Sequence, residues 1–186
     1  MTPTRLRAEG GVAFALFIAT IPLANWLIGN VGSTCVPGGP CLIPVAPGIQ
    51  APSGVLMAGL ALVLRDLVQR RLGLAAGFAA VIVGAAISAL VAPPAIVLAS
   101  VTAFLLSEVA DLLVYTPLQK RRFVTAVILS SAVGLVVDSA VFLHLAFGSL
   151  GYLPGQVIGK AWMVLLTIPA VQWIRRRDER RGVVPA

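Results

Sequence analysis

The chain has 186 residues, 59% of them hydrophobic and 11% charged, with a mean hydropathy of +0.98, which excludes a soluble domain of this length. Its 14 basic and 7 acidic residues leave a formal net charge of +7. Set among long apolar runs, that charge reads as membrane topology and contact with anionic lipid, and no nucleic-acid partner is expected.

A helix needs roughly 20 mainly apolar residues to cross about 30 Å of hydrocarbon. Six runs meet that need, approximately 10–28, 52–67, 73–91, 94–115, 123–147 and 154–174. The expectation is an all-α integral membrane protein, one six-helix bundle over 1–186. The first run follows Arg5 and Arg7 but is longer than a signal-peptide core and has no small-residue cleavage site after it, so it is expected to stay in the mature protein. Within it, Pro22 frees a backbone carbonyl, that of Ile18, and Asn25 and Trp26 follow within about a turn.

The connection over 30–51 is built from Gly, Pro, Ser and Thr and holds both cysteines, Cys35 and Cys41. It is expected to be an outer loop, where a disulfide persists and pins a flexible segment. Two Cys with no nearby His make a poor zinc site, and no metal or cofactor is expected.

Basic residues alternate along the chain: Arg5 and Arg7, then Arg65, Arg70 and Arg71, then Lys120, Arg121 and Arg122, then five arginines from Arg175 to Arg181. The other three connections hold no Lys or Arg. Cytoplasmic loops carry the Lys/Arg excess, so both termini are placed in the cytoplasm, with 175–186 a basic tail. At the end of the second run, Arg65, Asp66, Gln69 and Arg70 read as a cytoplasmic salt-bridge lattice, an anchor or a gate. Gly73 with Gly77 and Gly155 with Gly159 read as close helix packing.

Ionisable groups inside the membrane cost roughly 2.5–3.5 kcal/mol each at a helix centre, so they face the bundle interior and find partners. Glu108 and Asp111 lie one turn apart in the fourth run. Asp138 and Lys160 fall at similar depths in the fifth and sixth, so an ion pair between them is geometrically allowed. That pairing would leave Glu108 and Asp111 with no cation of their own. Two readings follow: a structural polar network, or a polar substrate or proton site near the midplane. Phe104 precedes Glu108 by four and Tyr115 follows Asp111 by four, so both aromatics can share the acidic face.

An enzyme is not expected. Ser130, Ser131, Ser139 and His144 supply hydrolase residue types, but Ser139 and His144 diverge on one helix, and Gly148-Ser-Leu-Gly151 has no strand-to-helix elbow. The phosphate-loop pattern Gly-x-x-x-x-Gly-Lys-Ser/Thr does not occur, so ATP hydrolysis by that route is excluded.

Several blocks resemble a known family: Ala51-Pro-Ser-Gly-Val-Leu-Met-Ala-Gly-Leu60 with Arg65-Asp-Leu-Val-Gln-Arg70; Ala103-Phe-Leu-Leu-Ser-Glu-Val-Ala-Asp-Leu-Leu-Val-Tyr-Thr-Pro-Leu118; Gly134-Leu-Val-Val-Asp-Ser-Ala-Val-Phe142 with Ala146-Phe-Gly148; and Gly155-Gln-Val-Ile-Gly-Lys160. They resemble the putative vitamin uptake transporter family, in particular its queuosine-precursor transporter branch. The resemblance implies a six-helix importer of the bacterial inner membrane, similar to the substrate-binding components of vitamin uptake systems. It would take up a 7-deazaguanine base, in the cyano or aminomethyl form, for queuosine biosynthesis. On that reading Glu108 accepts from the base edge. Asp111, Asp138, Gln156 and Lys160 support it, and Phe104, Trp26 or Trp162 sandwiches the ring. Asn25 and Tyr115 complete the candidate set. The family also covers other vitamins and nucleobase-like molecules, and a non-transporting structural membrane protein is the rival class. Partners left open are a second copy of the chain and a separate ATPase module; the alternative to the module is a carboxylate that cycles protons.

Overall fold

The computed structural model describes residues 3–37, 39–92, 94 and 97–183. Six helices carry the chain back and forth between two ends: α1 (Pro3–Asn30), α2 (Val55–Leu72), α3 (Leu74–Val91), α4 (Val97–Leu118), α5 (Phe123–Phe147) and α6 (Leu153–Arg180). The start of the fourth expected run lies partly outside the described residues, as do residues 184–186 of the expected tail. The helices end where the residues dictate. Gly73, at φ 91°, breaks α2 from α3, and Gly148, at φ 62°, closes α5 with its amide donating to the His144 carbonyl.

Five of the six helices, all but α2, are long and apolar enough to cross a membrane. Of the six spans expected, five thus have the length and composition for it, and the sixth helix, α2, differs in carrying Arg65, Asp66, Arg70 and Arg71. The arrangement shows why these charges are tolerated. Helices α1, α3, α4, α5 and α6 follow one another around α2, and α2 packs on every one of them. From Ala61 to Arg71 nearly every side chain of α2 is buried. A helix that packs on five neighbours meets mostly protein instead of lipid, so its polar groups can be satisfied by those neighbours.

The core divides between two faces of this central helix. Phe17, Ile21, Leu64, Val68 and Ala80 pack together on the α1–α3 side. Val63, Tyr115, Val127, Val164 and Val171 pack on the α4–α6 side.

Two further expectations are corrected. The connection over 30–51 is no irregular loop: it forms an antiparallel sheet of β1 (Thr34–Cys35), β2 (Cys41–Ala46) and β3 (Ile49–Pro52). Ala46 faces Ile49 across Pro47 and Gly48. A proline followed by a glycine at φ 71° supplies that turn. Cys35 and Cys41 are joined by a disulfide between β1 and β2. The sheet is anchored on the bundle by a small core of Val45, Ala51 and Val55 with Ile158, and by the Trp162 indole donating to the Val45 carbonyl at 2.9 Å. A Cβ on Gly155 would sit 2.1 Å from the Gln50 carbonyl oxygen, so only glycine lets α6 meet the sheet there. The basic tail, expected from residue 175, is helical as far as Arg180, because nothing in its sequence stops α6 earlier.

Candidate functional site

In the half of the bundle nearest the sheet lies a cavity of about 150 Å³. Ile28, Pro52, Gly54 and Gln156 border it toward the sheet, and Leu62 and Glu108 lie at its inner end. Its walls are mostly apolar, with Ile21, Met57, Phe104 and Phe142 among them, and its polar groups come from five helices, among them Asn25, Ser88, Ser100, Glu108, Asp138 and Lys160. A concave apolar site with a few convergent polar groups is the usual form of a small-molecule site.

The side chains are held from behind. A Cβ on Gly84 would lie 2.8 Å from Phe104 Cζ, so the glycine leaves room for that ring, which packs beside Phe17 at a centroid distance of 6.2 Å. A Cβ on Gly59 would lie 2.6 Å from the Lys160 carbonyl oxygen, so this glycine lets α6 approach α2 where Lys160 projects. The Lys160 ammonium is ion-paired with Asp138 Oδ2 and lies 2.7 Å from Ser139 Oγ. Asp138 keeps about a quarter of its side-chain surface exposed, and among the described residues its Oδ1 has a long contact, 3.5 Å, with Ser107.

Glu108 is tied to a second layer beneath the cavity. Its Oε2 accepts from Arg65 Nε at 2.8 Å. The same guanidinium is ion-paired with Asp111, lies 3.0 Å from Asp66 Oδ1 through Nη1, and donates to Gln69 at 3.4 Å. Tyr115 donates to the Asp66 carbonyl at 3.0 Å, Ser130 to Asp66 Oδ2 at 3.2 Å, and Gln69 to Thr116 at 3.1 Å. Arg65, Asp66, Gln69 and Asp111 are all fully buried. One buried cation thus serves three buried carboxylates. Asp111 Oδ1 has no hydrogen-bond donor among the described residues.

A third layer closes the basic end. Asp178 of α6 accepts from Arg70 and Arg71 of α2 at 2.9–3.2 Å, and Glu9 of α1 pairs with Arg71 and Arg177. Between the cavity and that end the bundle is therefore sealed by two successive polar layers.

Of the ten residues expected from the sequence, Glu108, Asp138, Lys160, Gln156, Phe104 and Asn25 border the cavity, and four do not. Asp111 lies in the layer below, paired with Arg65. Tyr115 is buried on the α4–α6 side of α2 with its hydroxyl spent on a carbonyl. Trp26 and Trp162 are half exposed on the outer surface, and the Trp162 indole is engaged by the sheet. Both tryptophans are thus corrected as ring platforms; Phe142 stands in the wall instead.

The largest omission is Arg65. The end of α2 reads in sequence as a cytoplasmic anchor, and Glu108 and Asp111 as acids without a cation. Arg65 is instead that cation, and it lies one layer below the cavity. The available signal was the charge density of the second run, which suits an enclosed helix and no other.

Comparison with curated proteins and with solved structures found no match. Residues 88–175, a little under half of the chain, match the model of the family described as putative vitamin uptake transporter. The matched stretch contains α4, α5 and most of α6, and with them Phe104, Glu108, Asp138, Gln156 and Lys160. Over these residues the chain is similar to that family, and the match takes in the α4, α5 and α6 side of the cavity but not the wall from α1 and α2.

Proposed function

We propose that this chain imports a small, planar, nucleobase-like molecule across the bacterial inner membrane, and that the molecule is a 7-deazaguanine precursor of queuosine. The observation that carries the reading is Glu108, a carboxylate at the inner end of a mostly apolar cavity, with Phe104 and Phe142 in its walls and the Asp138–Lys160 pair beside it.

The lactam edge of a guanine-like base presents a ring N–H, an amino group and a carbonyl. Glu108 accepts from the two donors, as acids do at donor edges of bases, and Lys160 or the Gln156 amide donates to the carbonyl. Asp138, with one oxygen weakly engaged, takes a further donor, and Asn25 lies on the facing wall. Phe104 lies against the ring face, where aromatic stacking contributes about 1–3 kcal/mol per base. Asp111 acts at one remove, by holding Arg65 behind Glu108. In this reading the basic end faces the cytoplasm with both termini, and the sheet faces the outside.

The test is uptake in cells that cannot make queuosine precursors, supplied with the cyano or aminomethyl deazaguanine base at low concentration and scored by queuosine in tRNA. Restoration by this chain is the expected result. Failure with the protein abundant in the membrane would overturn the deazaguanine assignment and direct the search to pterins and other vitamins.

A further inference from the structure

The face of α6 beyond the hydrocarbon run carries chemistry that the cavity does not use. Pro169, Gln172, Trp173, Arg176 and Arg180 recur at three- and four-residue spacing, so they share one stripe of the helix. With Arg177 and Arg181 they border a single depression on the surface of the basic end. Toward the bundle middle the stripe continues as Leu165 and Leu166, 52% and 68% exposed. From Leu165 to Arg176 is about 16 Å along the axis at 1.5 Å per residue, the reach from the upper acyl chain to a headgroup phosphate.

The charges on this stripe are unspent. Arg175 is taken by Glu179 on the neighbouring face, at 2.7 Å, but Arg176, Arg180 and Arg181 have no carboxylate partner among the described residues. Arg177 is fixed in place: it bonds Glu9, stands 4.9 Å over the Trp173 ring, and has an Nε without an acceptor among the described residues. Trp173 is 60% exposed between the apolar run and the arginines, and an indole ring prefers the boundary between hydrocarbon and headgroups.

We propose that this stripe is a binding site for one anionic phospholipid. Arg176 and Arg180 fork onto the phosphate oxygens, Trp173 lies at the glycerol level, and Leu165, Leu166 and Pro169 carry an acyl chain. Guanidinium groups suit this ligand because their paired donors match two phosphate oxygens at once. A zwitterionic headgroup brings its own cation to the same place and is disfavoured there.

The test uses the full chain purified in detergent, titrated in native mass spectrometry with phosphatidylglycerol, phosphatidylcholine and inorganic phosphate. Phosphatidylglycerol adducts are expected at concentrations at least tenfold lower than phosphatidylcholine adducts. Arg176→Gln with Arg180→Gln removes that preference, Trp173→Leu weakens it, and the charge-matched control Lys120→Gln with Arg121→Gln on the same end leaves it intact. All these positions are exposed, and circular dichroism checks the fold of each variant. Equal loss in the two double variants would show general attraction between net charge and anion, and would overturn the site. So would no preference between the two lipids, or inorganic phosphate bound as tightly as the lipid.

Discussion

Glu108 and Arg65 carry the heaviest demands of any pair in the bundle, because one faces the cavity and the other is shared by the layer below. Glu108→Gln keeps the shape and the amide can still accept from Arg65, while Asp66 and Asp111 continue to balance the guanidinium. The protein is expected to accumulate normally and to lose at least tenfold in import, since a neutral amide accepts more weakly from a base edge. Asp138→Asn, which unbalances Lys160, is expected to lose a similar amount. Normal uptake by both variants at equal abundance would sink the site assignment. Arg65→Met has another consequence. It leaves three buried carboxylates without their cation, and breaking a buried pair in this way costs about 3–5 kcal/mol. The expected readout is a fall in melting temperature of the detergent-solubilised protein, with Arg65→Lys intermediate because it restores charge without the fork. A melting temperature unchanged in Arg65→Met would show that the layer contributes nothing to stability. The acids on α4 could be read from their spacing alone. Their cation could not, because Arg65 is 43 residues from Glu108 and the pair exists only once α2 lies against α4.

At the scale of elements, the close approach of α2 and α6 is set by the absence of a side chain at Gly59. Gly59→Val adds three carbons, the first of them 2.6 Å from the Lys160 carbonyl oxygen, and overpacking of this kind costs about 1–3 kcal/mol. Gly11→Val on α1, where a Cβ meets nothing within 4 Å, is the matched control and is expected to be neutral. Equal melting temperatures for the two variants would contradict the packing. The sheet is a separate element with its own staple. Breaking the Cys35–Cys41 bond, which closes a short loop, removes about 2 kcal/mol of unfolded-chain restraint. Cys35→Ser is expected to make residues 30–51 more sensitive to protease while the helices keep their protection. The long helices were legible because apolar runs of this length have no other stable place. The sheet was not, because Pro44, Pro47, Pro52 and the glycines around them read as a loop, and the strands form on a surface that the ends of α2 and α6 supply.

For the whole molecule, the cavity lies toward the sheet and two polar layers lie between it and the basic end. On the proposed import function, this is the form of a site open toward one side. If the sheet faces outward, Ser100→Cys on the cavity wall reacts with a membrane-impermeant thiol reagent in intact cells, and saturating substrate slows the reaction at least fivefold. Thr116→Cys, in the lower layer, stays unlabelled from that side. The converse pattern, with Ser100→Cys reactive only in opened cells, would reverse the orientation. The background is favourable, since both native cysteines are bonded to each other.

Composition alone required a membrane, because a chain this apolar cannot cover its own surface with polar groups in water. Spacing alone placed Glu108 with Asp111 on one helix, because helical periodicity is local. Which helix stands at the centre, which cation answers those acids, and which aromatics face a ligand were decided only by tertiary packing. Burial and pairing are relations between residues distant in sequence, and α2 acquires its role from the five helices that enclose it.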